Sequence, residues 1–160
     1  MILKDKVVII TGAGPGMGQA MCRGAAAEGA RVVVSARSVD AIEAIAGDIN
    51  ANGGEAIAVK CDVSSNDDCQ AIAGAALDQW GRIDGMVHSA YYHPDWANLD
   101  VAPIEQLTQA FDVIAAGGLR MAQAVIPAMK AQSSGAIVNI STLASRKPMP
   151  GEGGYAMAKS

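Results

Sequence analysis

The N-terminal part of the chain contains the stretch Val7-Val8-Ile9-Ile10-Thr11-Gly12-Ala13-Gly14-Pro15-Gly16-Met17-Gly18. Its first four residues are apolar and branched at Cβ, which is typical of a strand that is buried on both faces. The next residues include several glycines, and glycine allows tight turns and a close approach of the backbone to another group. A helical pattern begins at Met17. The stretch therefore predicts a strand, a glycine-rich turn and a helix, in that order.

The same alternation of short apolar strands and longer amphipathic helices continues along the chain. The predicted strands are Val7–Ile10, Arg31–Ala36, Ala56–Val59, Met86–Val87 and Ala136–Ile140. The predicted helices are Met17–Glu28, Val39–Asn52, Asn66–Trp80 and Ile104–Gln132, and Tyr91–Pro103 is predicted to be a loop. Continuously apolar strands that alternate with helices predict an α/β fold, with a doubly wound parallel sheet in three α/β/α layers.

Composition limits the domain count and the classes of function. The 160 residues suit one domain, and 51% hydrophobic with 18% charged residues is a globular composition. The formal net charge of −4 argues against a nucleic-acid partner. His88, His93 and Asp95 match no zinc spacing, so no metal site is expected. We expect a cytoplasmic protein, because the cysteines form no C-x-x-C pair and the chain shows neither a signal-peptide pattern nor a membrane-length apolar run.

Two motifs carry the functional prediction. The glycine-rich turn fails the strict G-x-G-x-x-G pattern, whose third glycine would fall on Met17, and reads T-G-x-x-x-G-x-G instead. Such a turn before a helix brings backbone N–H groups and the positive end of the helix dipole to a pyrophosphate. The second motif is Tyr155-Ala156-Met157-Ala158-Lys159, or Y-x-x-x-K, which places Tyr155 and Lys159 on one helix face.

With these motifs the chain resembles the short-chain dehydrogenase/reductase family, from Lys4 to Ser160. The resemblance implies a single Rossmann-type NAD(P)-binding domain over residues 1–160, the first part of a longer domain that is cut after its fifth strand. It implies an oxidoreductase that transfers a hydride between NADP(H) or NAD(H) and a small carbonyl or alcohol substrate, and a homotetramer or dimer. Two alternatives stay open: a nucleotide-binding protein of this fold without turnover, and an inactive truncated fragment.

The resemblance also implies which residues bind the cofactor. The diphosphate is assigned to the turn, and an adenine-binding pair and a segment after the fourth strand complete the site. These residues are Thr11, Gly12, Gly14, Gly16, Met17, Gly18, Asp62, Val63, Ser89 and Ala90. The fourth strand is followed by His88-Ser89-Ala90-Tyr91 where the family commonly has N-N-A-G, so only Ala90 matches.

The end of the second strand bears on the choice of nicotinamide cofactor. An acidic residue there would bind the 2′-hydroxyl of NAD, but the chain has Ala36 at that position. Arg37 follows, and a guanidinium can bind a 2′-phosphate with paired hydrogen bonds. The sequence therefore favours NADP(H), and NAD(H) stays possible.

Catalysis is predicted at the second motif. Tyr155 is expected to be the acid/base, while the Lys159 ammonium lowers the pKa of that phenol and binds the nicotinamide ribose. A hydroxyl from Thr142, which has the family's spacing to the tyrosine, or from its neighbour Ser141 is expected to hold the substrate oxygen. The family's asparagine of a proton relay is replaced by Ile114, which puts efficient turnover in doubt.

Overall fold

The structure, a computed structural model, describes residues 1–160. Its strands are β1 (Val7–Thr11), β2 (Arg31–Ala36), β3 (Glu55–Lys60), β4 (Gly85–His88) and β5 (Ala136–Asn139). Its helices are α1 (Met17–Ala27), α2 (Val39–Ala51), α3 (Asn66–Trp80), α4 (Ile104–Phe111), α5 (Gly117–Ala131) and α6 (Gly153–Lys159). A π-helical turn, Asp112–Ala116, joins α4 to α5, and a short 3₁₀ turn, Leu143–Ser145, follows β5.

The five strands form one parallel sheet in the order β3-β2-β1-β4-β5. The predicted doubly wound α/β architecture is thereby confirmed. In the register of the sheet, Thr11 pairs with both Ser35 and His88, and His88 pairs with Asn139. The carboxyl ends of β2, β1, β4 and β5 therefore meet at one edge, where α/β proteins of this kind bind their ligands.

The core lies on both faces of the sheet. Val7 and Ile9 belong to a cluster of 15 buried residues that includes side chains of α3 and α5. Val8 and Ile10 belong to a second cluster, of 12 residues, with α1 and α2. Alternate residues of β1 thus contact opposite helical layers, and each fully buried aliphatic side chain contributes about 1.5–3 kcal/mol to folding. No helix in the chain combines the length and the apolar character that a membrane span requires.

The segment predicted as one helix, Ile104–Gln132, is interrupted by the π turn at Asp112–Ala116. The imidazole Nε2 of His88 lies 3.1 Å from the carbonyl oxygen of Ile114, inside that turn. A side chain that binds a helix carbonyl from outside competes with the regular ladder of hydrogen bonds, which favours a local wide turn. The interruption is therefore explained by a residue that is distant in sequence.

The fifth strand ends one residue earlier than predicted, at Asn139, although the N–H of Ile140 still donates to the carbonyl of His88 at 3.0 Å. Ser141 and Thr142 consequently lie in the connection beyond the strand. The alternation of side chains along a strand therefore cannot decide which hydroxyl faces a substrate.

Candidate active site

The glycine-rich turn is built on two close backbone contacts. Gly12 has a φ of 69°, and a Cβ added there would lie 2.5 Å from the backbone nitrogen of Ala90. A Cβ on Gly18 would overlap the carbonyl oxygen of Gly12. The first turn of α1 can therefore lie this close to Gly12 only because residue 18 is glycine. Cβ atoms added at Gly14 and Gly16 would meet no atom within 4 Å. The turn is thus tightly packed at Gly12 and Gly18 and open at Gly14 and Gly16.

The open side of the turn continues into a groove along the carboxyl ends of β1, β2 and β3. Many of the predicted cofactor residues line this groove. Its lining includes Gly12, Gly14, Ala36, Arg37, Asp62, Val63 and Ala90. Of the remaining predicted residues, Thr11 and Ser89 are buried beside the turn, and Met17 at the start of α1 is 55% exposed. The structure therefore brings about half of the predicted cofactor residues to one groove, whereas Lys159 lines a different cavity with His88 and Ile140.

The groove is lined by one basic and one acidic side chain, Arg37 and Asp62. Arg37 is exposed and forms no ion pair in the structure. Hydrogen bonds from the hydroxyl and N–H of Ser64 lower the pKa of Asp62, and the charges of Arg37 and Arg120 lower it further. The groove thus offers one unpaired cation and one carboxylate to a ligand.

His88 bridges the turn and the long helical segment. Its Nδ1 lies 3.1 Å from the hydroxyl of Thr11, and its Nε2 lies 3.1 Å from the carbonyl of Ile114. A carbonyl only accepts, so Nε2 carries the proton and Nδ1 accepts from Thr11. Burial lowers the pKa of His88, which keeps the ring neutral. No local sequence pattern predicts this bridge, apart from the position of His88 at the end of a strand.

Tyr155 and Lys159 both lie on α6, as predicted. Burial, followed by the charges of Tyr91 and Glu152, raises the pKa of Tyr155. The Nζ of Lys159 donates to the carbonyl of Ile140 at 2.6 Å, and burial lowers the pKa of this ammonium. The ammonium is thus bound to the end of β5 in this structure, and its effect on the pKa of Tyr155 stays a prediction.

The two candidate hydroxyl residues make local contacts. Thr142 Oγ1 accepts from the N–H of Ala144 at 3.4 Å and caps the 3₁₀ turn. Ser141 Oγ donates to the carbonyl of Lys159 at 3.3 Å. Neither hydroxyl is hydrogen-bonded to Tyr155 in the structure. Both alternatives therefore stay open, with Ser141 tied to α6 and Thr142 to its own turn.

His93 is a residue of the site that the sequence did not reveal. Its ring stacks on Tyr155, with centroids 4.4 Å apart and planes 29° apart. Its other neighbour is Trp96, at 5.8 Å and 22°. A signal existed, because aromatic residues are only 4% of the chain and Tyr91, Tyr92 and Trp96 fall within six positions. The predicted loop 91–103 thus contacts Tyr155 through the ring of His93, which in turn stacks on Trp96.

Comparison with known sequences places these features in context. A family model described as short chain dehydrogenase matches residues 6–160. An uncharacterized oxidoreductase of Listeria monocytogenes and a 3-oxoacyl-[acyl-carrier-protein] reductase of Synechocystis are each 36% identical over 159 residues. Both alignments cover 99% of this chain and 64% of the relative, so the chain spans slightly less than two thirds of their length.

Solved structures agree with this comparison. A metagenomic short-chain oxidoreductase in complex with NADP has a TM-score of 0.91 and 33% identity, covering 99% of this chain and 72% of the other. An NAD⁺-bound xylitol dehydrogenase has a TM-score of 0.95 and 26% identity, covering 99% of this chain and 61% of the other. The match of the family model over nearly the whole sequence is decisive: the chain belongs to the short-chain dehydrogenase family.

Proposed function

We propose that the chain is the nucleotide-binding and catalytic part of an oxidoreductase that transfers a hydride between NADP(H) or NAD(H) and a carbonyl or alcohol. The observation that carries this proposal is a series of contacts joining the two motifs. Lys159 donates to Ile140, the N–H of Ile140 donates to His88, and His88 accepts from Thr11 at the start of the glycine turn. The Y-x-x-x-K helix is thereby tied to the sheet edge that carries the turn.

The residues present fit a dinucleotide. The close contacts of Gly12 and Gly18 leave the upper side of the turn open for a diphosphate, as Gly14 and Gly16 meet no atom there. Thr11, Met17, Asp62, Val63, Ser89 and Ala90 complete the proposed site. The unpaired Arg37, with no acid at Ala36, favours a 2′-phosphate and hence NADP(H). A bound nicotinamide would supply or accept the hydride.

Tyr155 is the proposed acid/base. In reduction it donates its phenol proton to the substrate oxygen, and in oxidation it takes that proton back. Its raised pKa keeps the phenol protonated at neutral pH, which suits donation to a carbonyl. The ammonium of Lys159 has three N–H donors and uses one on Ile140, so donors remain for ribose hydroxyls. Thr142 or Ser141 is proposed to orient the substrate oxygen.

The remaining parts of the proposal concern assembly and location. We infer a homo-oligomer, a tetramer or dimer, since α4 and α6 expose apolar side chains such as Ile104, Phe111 and Met157 at 69%, 43% and 43%. A cytoplasmic location is consistent with three free, buried cysteines. The substrate is proposed to be a small carbonyl or alcohol compound.

A second candidate is a nucleotide-binding protein without turnover. The engagement of Lys159 with Ile140 favours it, because in this candidate the ammonium does not assist ionisation of Tyr155. The presence of Ile114 in place of a hydrogen-bonding relay residue also favours it. The two candidates share cofactor binding and differ only in turnover.

Cofactor binding is tested by titrating the purified chain with NADPH and NADH and following nicotinamide fluorescence. Arg37→Ala is expected to weaken NADPH binding by about ten- to a hundredfold, the loss of a charge-assisted hydrogen-bonded pair, and to leave NADH binding unchanged. Arg31→Ala is the matched control, because Arg31 lies at the opposite end of β2 from Arg37 and pairs with Glu55. Equal loss for both cofactors, or none, would contradict the 2′-phosphate role.

Turnover is tested with Tyr155→Phe, by following loss of NADPH absorbance with a panel of ketones and aldehydes. Removal of the proton donor is expected to lower the rate about 10²–10⁴-fold while cofactor affinity is retained. Tyr92→Phe is the control, because Tyr92 packs on the same small cluster as Tyr155. Cofactor binding with no turnover on any compound would favour the second candidate.

A further inference from the structure

The loop between β4 and α4 is held firmly over α6. The N–H of Asp95 donates to Oε1 of Gln106 at 2.7 Å, and Nε2 of Gln106 donates back to the Asp95 carboxylate at 2.8 Å. The N–H of Ala97 donates to the carbonyl of Gly151 at 3.2 Å. The loop is therefore attached to both α4 and the segment that precedes α6.

His93 lies at the centre of this loop, between two aromatic rings. Its Nδ1 is 2.6 Å from the carbonyl of Pro94, which fixes Nδ1 as the donor and leaves Nε2 without a protein partner. The rings of Tyr155 and Trp96 stack on it with centroids 4.4 Å and 5.8 Å away. Stacked pairs at such separations are stabilising and restrict rotation of the rings.

Tyr155 has few other contacts that fix its ring. It packs at the margin of a small cluster made by Ala110, Ile114 and Ala158. Neither Thr142 nor Ser141 is hydrogen-bonded to it. A phenol that donates a proton must hold its ring within a narrow range of positions. The imidazole of His93 is the ring that stacks on it.

We propose that His93 is a positioning residue for Tyr155, whose imidazole fixes the phenol ring by stacking. The inference rests on the proposed role of Tyr155 as acid/base. The imidazole lies between the rings of Trp96 and Tyr155, so the loop holds one end of the stack and α6 holds the other. Stacked rings restrict each other's rotation, which keeps the phenol in one position.

The stack is tested first without cofactor, by near-ultraviolet circular dichroism of the full chain. Aromatic rings held in a fixed stack give a signal in this range, so His93→Leu should weaken the signal of Tyr155 and Trp96, while His93→Phe should keep most of it. Trp80 at the end of α3 lies outside the stack and supplies a constant background. An unchanged signal in His93→Leu would overturn the proposal.

The positioning role is tested by kinetics with NADPH and a ketone that the wild-type protein reduces. His93→Leu should lower kcat by roughly ten- to a hundredfold with KM little changed, because Tyr155 loses its planar neighbour. His93→Phe, which restores a flat ring, should recover most of kcat. Wild-type kcat in His93→Leu would overturn the proposal. A wild-type protein inactive on every carbonyl would overturn the proposed function and the role of His93 with it, while circular dichroism would still report the stack.

Discussion

The two sides of the sheet, β3–β2–β1 with the glycine-rich turn and β4–β5 next to α6, are built differently. On the β1–β2–β3 side, every residue of β1 is buried, and the strand contributes side chains to both large core clusters. On the other side, β5 is an edge strand whose Val138 is 49% exposed, and Tyr155 packs on a cluster of three small or aliphatic residues. The nucleotide side is thus fixed by backbone geometry and core packing, whereas the reaction side depends on a few side-chain contacts between loops and helices.

The largest expected effect tests the backbone geometry of the nucleotide side. Gly18→Ala is expected to destabilise the protein by about 3 kcal/mol, because the new Cβ overlaps the carbonyl oxygen of Gly12 and α1 must move. Urea unfolding measures this change, and NADPH titration should show a parallel loss of binding.

Gly24→Ala is the matched control within the same helix. A Cβ at Gly24 meets no atom within 4 Å, so alanine should stabilise α1 by about 0.5–1 kcal/mol through its higher helix propensity. Equal changes in stability for the two variants would mean that the close contact between Gly18 and Gly12 does not hold the nucleotide side in place.

The next effect concerns His88, which joins the two sides. Burial lowers the pKa of His88 in the folded chain, whereas an unfolded histidine has a pKa of about 6.5. As pH falls below about 6.5 the unfolded chain takes up a proton that the folded chain does not, so stability is lost. His88→Asn should cost about 1–3 kcal/mol at pH 7.5, from the broken bridge, and remove this acid-dependent part.

Unfolding in urea at pH 5.5 and pH 7.5 checks this prediction. His93→Gln is the control, since it removes the only other histidine and should keep the loss of stability at acid pH. An acid loss that disappears in His93→Gln and persists in His88→Asn would assign the titration to the loop instead of the bridge.

The smallest effect concerns Arg120, a second link between the sides. Its guanidinium donates to the carbonyls of Val63 and Asp112 at 3.3 Å and 3.2 Å, and to the Asp112 carboxylate at 2.7 Å. Lysine cannot reproduce this fork, so Arg120→Lys should cost about 1 kcal/mol in thermal or urea unfolding. Arg31→Lys, at an exposed pair, should change stability by less than about 0.5 kcal/mol. Equal effects would mean that Arg120 is an ordinary surface cation.

The fold could be predicted almost completely from local sequence. The bounds of β2 and α3 agree with the predicted Arg31–Ala36 and Asn66–Trp80, and the ends of the other predicted segments differ by one residue. Runs of branched apolar residues and the spacing of the helices determine these elements locally. The π turn was missed because its cause, the ring of His88, lies on another strand.

The site could be predicted only where backbone geometry defines it. The glycine spacing predicts the turn because a side chain at position 12 or 18 would collide with neighbouring backbone atoms. Contacts set by tertiary packing escaped prediction: the Lys159 ammonium lies on Ile140, and His93 on Tyr155. No local pattern specifies which residue a long side chain or a loop will meet.

The π turn at Asp112–Ala116 has a consequence for how substitutions combine. A turn with one extra residue rotates the following helix by about 100° relative to a continuous α-helix. With the turn between them, α4 contacts α6 while α5 contacts α3 and β4. Substitutions on the face of α4 that contacts α6 and on the face of α5 that contacts α3 and β4 should therefore change the free energy of unfolding additively. Additivity is expected for sites without shared partners. The contacts of α4 with α6, which carries Tyr155, and the contacts of α5 with the sheet can then vary independently of each other.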